Sequence, residues 1–181
     1  MVAARRTQQP DTEAEAELTL GQIAFEAGEW PEAAPRLARS LQICLGVGDR
    51  RGAANARGWQ GRLALAEGRL DEAAALLAEA LQAYQAFAMR GQLLGVLDDV
   101  AWLTLRRGQL AVAQVLSWAA DDLRLRVALP RAPFAQLQRQ RLQAELDAAA
   151  SGPPQPARPA DEVWDTETAV RQALAALVDS D

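Results

Sequence analysis

A forty-residue repeat constrains the fold more than any other feature of this sequence. The segments FEAGEWPEA, LAEGRLDEA and LRRGQLAVA begin at residues 25, 65 and 105, so a constant offset of forty superimposes them. Gly28, Gly68 and Gly108 keep this spacing, and small residues recur at 33, 73 and 113 and at 21, 61 and 101. Repeats of this length are typical of architectures in which each copy is one supersecondary unit that packs on its neighbours.

Each repeat is interpreted as two antiparallel helices joined at its glycine. Glycine accepts the left-handed conformation that ends a helix, and Pro31 and Asp71 suit the first turn of the helix that follows. Small residues at the shared positions let the two helices approach closely. We predict helix pairs at 12–27 and 31–47, 53–67 and 71–88, and 92–107 and 111–127, then a capping helix at 131–150 and an amphipathic helix at 166–178.

The same pattern predicts the domain organisation. The residues before the Thr12-Glu-Ala-Glu15 capping box are expected to form a disordered tail, 1–11, ahead of one repeat domain, 12–150. A proline-rich linker, 151–160, then leads to a C-terminal amphipathic helix within 161–181. Since that helix carries an apolar stripe, we expect it to dock on the repeats, either capping the last one or lying in their groove.

Composition independently favours an all-α fold and excludes several classes of function. Only 5% of the residues are aromatic, and alanine and leucine, which have high helix propensity, supply most of the hydrophobic half. The chain contains no histidine and no lysine, so it lacks an imidazole base, a histidine metal ligand and a Schiff-base amine. We therefore expect no catalytic residues, no metal and no cofactor. The net charge of −5 disfavours direct binding to nucleic acid.

The single cysteine and the N-terminus suggest where the protein works. Cys44 cannot form an intramolecular disulfide, so we expect a cytoplasmic setting, and its apolar surroundings predict a buried core residue rather than a reactive thiol. The N-terminal residues MVAARRTQQP contain no apolar stretch after the arginines, so no signal peptide is expected. No apolar run approaches the length of a membrane span, so no membrane contact is expected.

The repeat resembles the tetratricopeptide motif. Leu20-Gly21 in the first helix, the glycine before the turn, and Ala33-x-x-x-Leu37 in the second helix match that motif, whereas Ser117 departs from it. The period of forty exceeds the usual period of about 34 and is shared by HEAT and armadillo repeats, but the glycine turn favours the tetratricopeptide family. The resemblance implies a right-handed α-solenoid of three helix pairs whose first helices line a groove for peptides or helices.

A narrower resemblance links the chain to the C-terminal repeat arrays of large bacterial transcriptional regulators of the LuxR/MalT and SARP type. The turn Gly48-Asp-Arg-Arg-Gly52, the stretch 110–120 and the final helix with its preceding Trp164 carry this likeness. It implies a sensor or adaptor, either free-standing or part of a longer regulator. The alternative is a purely structural segment that braces a larger polypeptide.

The resemblance also implies a set of partner-binding residues on the three first helices. Two large aromatic residues and one arginine stand out in it, because such side chains often dominate binding energy. Phe25, Leu65 and Leu105 are equally consistent with a place in the core between helix pairs. The acidic pairs 98–99 and 121–122 and the polar stretch 136–143 are predicted to be solvated faces. The predicted groove set is Leu18, Gln22, Phe25, Asn55, Arg62, Leu65, Asp98, Trp102 and Leu105.

Overall fold

A computed structural model describes residues 2–150 and 164–178, and every regular element in this part of the chain is an α-helix. The prediction of an all-α fold built from antiparallel helix pairs is confirmed. The predicted linker at 151–160 lies outside the described residues. The helices are α1 (Val2–Glu26), α2 (Trp30–Val47), α3 (Arg50–Ala66), α4 (Leu70–Ala86), α5 (Arg90–Arg106), α6 (Leu110–Arg126), α7 (Pro133–Ala149) and α8 (Thr166–Val178).

The helices form two compact units, Met1–Phe87 and Ala88–Asp181. In the first unit, α1 pairs with α2 and α3 pairs with α4, and α3 also packs against both helices of the first pair. In the second unit, α5 pairs with α6, and α7 and α8 each pack against both of them. The final helix therefore docks on the third helix pair, as its apolar stripe predicts.

The first helix starts earlier than the sequence analysis expects. It begins at Val2, so the segment predicted as a disordered tail is helical from its second residue. Alanine, arginine and glutamine, which have high helix propensity, make up most of residues 3–9 and continue the helix upstream of Thr12. Thr12 is consequently an internal residue of α1 and not its N-cap.

Left-handed residues end the helices at intervals of twenty residues. Four of them are glycines, at 28, 48, 68 and 108, with φ between 78° and 80°. The other two are Ala88 and Ala128, with φ of 53° and 52°. After Gly28, Gly68 and Gly108 the next amide donates to a carbonyl five residues earlier at 2.8–2.9 Å, which is the bond that closes a Schellman cap. The predicted glycine turns are confirmed, and the two alanine turns were not predicted.

Close helix contacts explain the small residues of the repeat. Ala33, Ala73 and Ala113 are all completely buried. A Cβ atom added to Gly21 would lie 2.7 Å from Leu37 Cδ2, and one added to Gly61 would lie 2.9 Å from Leu77 Cδ2.

In the third repeat, the relative sizes of the two residues at this helix crossing are reversed. Its equivalent positions hold Ala101 and Ser117, both completely buried. The larger residue on α5 therefore goes with the smaller residue on α6, which gives a steric reason for the departure of Ser117 from the motif.

The turn between α2 and α3 places Cys44 in the core. Asp49 caps α3, because its Oδ1 accepts hydrogen bonds from the amides of Arg51 at 3.1 Å and Gly52 at 2.9 Å. Cys44 is buried beside Ala14 and Ala53. Burial, with the charge of Asp49 as a further cause, raises the pKa of the Cys44 thiol.

Candidate partner-binding surface

The structure places the nine predicted groove residues on three first helices. Those on α1 and α3 belong to the first unit, and those on α5 belong to the second. Leu65 is buried, with 7% of its surface exposed, which agrees with the core interpretation for that residue. The other eight are half-buried, so each retains some accessible surface.

Phe25 and Arg62, two predicted groove residues of the first unit, both contact Trp59, which was not predicted from the sequence. The rings of Phe25 and Trp59 lie edge to face, with centroids 5.6 Å apart and an interplanar angle of 73°. The Arg62 guanidinium carbon lies 4.5 Å from the Trp59 ring centroid. We call Phe25, Trp59 and Arg62 the Trp59 cluster.

Helix geometry explains why the Trp59 cluster forms. Trp59 and Arg62 are three residues apart on α3, so they share one face of that helix. Phe25 occupies the last turn of α1, which packs against α3. The spacing of Trp59 from Arg62 is visible in the sequence, so this residue could have been predicted.

The Trp59 cluster combines an apolar surface with a fixed positive charge. An edge-to-face aromatic pair contributes roughly 0.5–1.5 kcal/mol beyond area burial, and a partly exposed cation–π contact about 0.5–1 kcal/mol. These contacts hold three half-buried side chains in one arrangement.

The neighbouring face of α1 is acidic. Glu15 and Glu26 are exposed and share a helix face with the half-buried Gln22. The first unit thus offers an aromatic and cationic patch on α3 and carboxylates on α1.

In the second unit, Asp98 is part of a largely buried ion-pair network. Its carboxylate accepts two bonds from Arg131, Nε to Oδ2 at 3.0 Å and NH2 to Oδ1 at 2.7 Å. Arg124 NH2 lies 3.1 Å from Oδ2. Asp121 accepts from Arg131 NH1 and from Arg139 NH2, each at 2.7 Å. We call these five residues the Asp98 network.

The Asp98 network corrects two expectations from the sequence. Asp98 and Arg139 were expected on solvated faces, as was Asp121, whose side chain is 36% exposed. The side chains of Asp98 and Arg139 are instead only 15% and 10% exposed. The difference arises because Arg131, in the loop between α6 and α7, bridges both aspartates.

Burial and the two carboxylates shift the pKa of the arginines in this network in opposite directions. Burial is the largest influence on Arg124 and lowers its pKa, although Asp98 partly compensates. For Arg131, burial also lowers the pKa, but the carboxylates of Asp98 and Asp121 outweigh it and raise the pKa above its ordinary value. Both carboxylates are thus used to neutralise buried arginines, so the network ties α5, α6 and α7 together.

The described residues contain no group of three or more His, Cys, Asp or Glu side chains placed to hold a metal ion. None of the helices within 2–150 and 164–178 combines the length and the apolar character that crossing a bilayer requires.

The antiparallel helix pairs define a helical-repeat architecture. Residues 12–86, which cover the first two helix pairs, match the tetratricopeptide repeat family. The match supports the tetratricopeptide assignment, and the third pair continues the same register outside the matched region. No significant match was found among curated proteins or among solved structures. Tetratricopeptide repeats generally act in protein interaction or as scaffolds.

Proposed function

We propose that this protein is a non-enzymatic binding module that holds a peptide or helix of a partner protein against its first helices. The Trp59 cluster is the anchor of this surface. The single observation that carries the proposal is the contact of Phe25 and Arg62 with Trp59, which joins two neighbouring first helices and leaves all three side chains half-buried. Aromatic residues and arginine dominate binding energy at many protein interfaces.

The chemistry of the cluster indicates the kind of segment it binds. An apolar side chain of the partner would lie on the ring edges of Phe25 and Trp59. The Arg62 guanidinium would face a carbonyl or carboxylate of the same segment, and the acidic residues Glu15 and Glu26 would favour a basic residue beside it. A short helix or extended peptide with one apolar anchor between an acidic and a basic residue fits this surface.

Peptide selection on the full chain, followed by calorimetry, tests the proposal. A displayed library with randomised apolar, acidic and basic positions should yield binders of the composition described above. Trp59→Ala should then weaken a selected peptide by about 2 kcal/mol, close to thirtyfold in Kd, because a central aromatic anchor is lost. Arg62→Ala should weaken it less, and only for peptides that contain an acidic residue.

Arg57→Ala provides a matched control on the same helix. Arg57 forms an ion pair with Glu79, Nε to Oε2 at 2.9 Å, and so belongs to the contact of α3 with α4. This variant should leave peptide affinity unchanged, and circular dichroism should show all three variants to be helical. Selected peptides that bind all three variants equally would refute the Trp59 cluster as the binding site.

The wider role follows from the resemblance of the turn at 48–52 and of the C-terminal stretches to bacterial regulator arrays. On that basis we propose a cytoplasmic sensor or adaptor within bacterial signalling or transcriptional control. A purely structural segment of a larger polypeptide is the second candidate, favoured by the Asp98 network, whose charges are all used internally. The two separate on the library selection, because a bracing segment has no reason to enrich one peptide composition.

A further inference from the structure

An apolar stripe runs along the outer face of α1, away from the Trp59 cluster. It consists of Ala16, Leu20 and Ile23 of α1 and of Ala27, which directly follows the helix and whose amide still donates to the carbonyl of Ile23. Their spacing of four, three and four residues places them on one side of the helix. All four are exposed, and the fractions for Leu20 and Ile23 are 44% and 58%. Contiguous exposed apolar residues of this kind mark interaction surfaces.

The forty-residue register shows what this face does elsewhere in the first unit. The positions equivalent to Ala16 and Ile23 are Ala56 and Leu63 on α3, exposed by 0% and 2%. There α3 packs against α1 and α2. The same face is therefore a helix-packing face in the second repeat, and its counterpart in the first repeat is accessible. At the other two positions α1 is the more apolar, since Leu20 corresponds to Gln60 and Ala27 to Glu67.

The order of residue sizes in the stripe suits a second copy of the same helix. Read from either end, it is small, large, large, small. In an antiparallel pair, Ala16 of one copy would lie opposite Ala27 of the other, and Leu20 opposite Ile23. Such self-complementarity is what a two-fold symmetric contact requires, because each residue pair then occurs twice.

We propose that two copies of this chain associate through their α1 helices, antiparallel, about a two-fold axis that passes between residues 21 and 22. The stripe spans about 16 Å along the helix at 1.5 Å per residue. A contact of this length is small for a stable dimer, so the association is weak. It involves a face of α1 other than the one that contacts Trp59, so it does not depend on the proposed peptide binding.

Two charged variants of the full chain test both the contact and its register. Leu20→Glu alone and Ile23→Arg alone each place a charge against an apolar side chain in the homodimer, and should raise the dissociation constant about tenfold or more. An equimolar mixture should recover association, because one interface then pairs the new glutamate with the new arginine and keeps one Leu20–Ile23 contact. Sedimentation equilibrium between about 10 and 500 μM measures all three samples.

Leu45→Glu is the matched control, because Leu45 is 56% exposed on α2 and lies outside the stripe. It should associate like the parent chain. Raising the salt concentration should weaken the mixed pair but not the parent dimer, since only the mixed pair contains an ion pair. A parent chain that stays monomeric, single variants that associate normally, or a mixture without recovery would each overturn the proposal.

Discussion

Replacing Ala128 with glycine should stabilise the protein, although the same replacement normally weakens a helical protein. Ala128 has φ of 52° and follows the last residues of α6. The next amide, of Leu129, donates to the carbonyl of Arg124 at 3.1 Å, so Ala128 occupies the left-handed position of a Schellman cap. An L residue with a Cβ is disfavoured there, and glycine is not.

Two opposing effects determine how much Ala128→Gly changes the free energy of unfolding. Holding an alanine in the left-handed region costs roughly 1–2 kcal/mol. Glycine removes that cost but increases the freedom of the unfolded chain, which is worth about 0.4–1 kcal/mol. The difference spans roughly 0 to 1.6 kcal/mol, so Ala128→Gly is predicted to raise the free energy of unfolding by about 0.8 kcal/mol, the middle of that range.

Urea unfolding followed by circular dichroism measures this change against two reference variants of the second unit. Ala144 is exposed in the interior of α7, so Ala144→Gly should lower the free energy of unfolding by about 1 kcal/mol. Gly108→Ala should also be destabilising. Its φ is 78° and an added Cβ would meet nothing within 4 Å, so the cost would come from the backbone alone.

The sign of the change in the free energy of unfolding tests whether Ala128 occupies a left-handed cap. If Ala128→Gly destabilises the chain as much as Ala144→Gly does, Ala128 does not occupy a left-handed cap in solution. Equal stability of Gly108→Ala and the parent chain would likewise show that left-handed backbone is not what these turns require.

Asp98→Asn should lower the free energy of unfolding by about 3 kcal/mol, because Arg124 and Arg131 would stay buried without the carboxylate that neutralises them. The same urea assay measures this, and Asp147→Asn, at an exposed residue of α7, should change stability by less than about 0.5 kcal/mol. Cys44 should react slowly with a thiol reagent at pH 8 in the native protein and rapidly in urea, because burial raises the pKa of the thiol and limits access. Rapid reaction of the native protein would contradict the buried position.

The repeat and its turns could be predicted because their causes are local. A left-handed glycine and a small residue at a helix crossing each act within a few residues, and a period of forty repeats them at positions such as Gly68 and Ala73. The turns at Ala88 and Ala128 were not predicted, because the local sequence at these positions does not resemble a helix end. Alanine is the strongest helix former, so nothing in the type of residue indicates a helix end. Only their spacing from Gly48 does so.

The Asp98 network could not be predicted because its cause is not local. Asp98 and Arg131 are thirty-three residues apart, and their contact depends on the path of the loop after α6. From the sequence, an acidic pair on a helix is most often solvated, and nothing near Asp98 indicates otherwise. Trp59 is the intermediate case, because its helix face was predictable from Arg62 but its contact with Phe25 required the packing of α1 on α3.

One pair of positions shows how a shared backbone acquires different chemistry in successive repeats. In the second repeat, the hydroxyl of Tyr84 donates to the carbonyl of Ala54 at 3.2 Å, and a Cβ on Gly58 would clash with that hydroxyl oxygen. Forty residues later, the positions of Gly58 and Tyr84 hold Asp98 and Arg124, joined by an ion pair at 3.1 Å. The missing side chain of Gly58 makes room for a tyrosine, and the carboxylate of Asp98 neutralises an arginine. Each residue therefore suits only the partner of its own repeat, and exchanging either one alone would leave a clash or a buried charge.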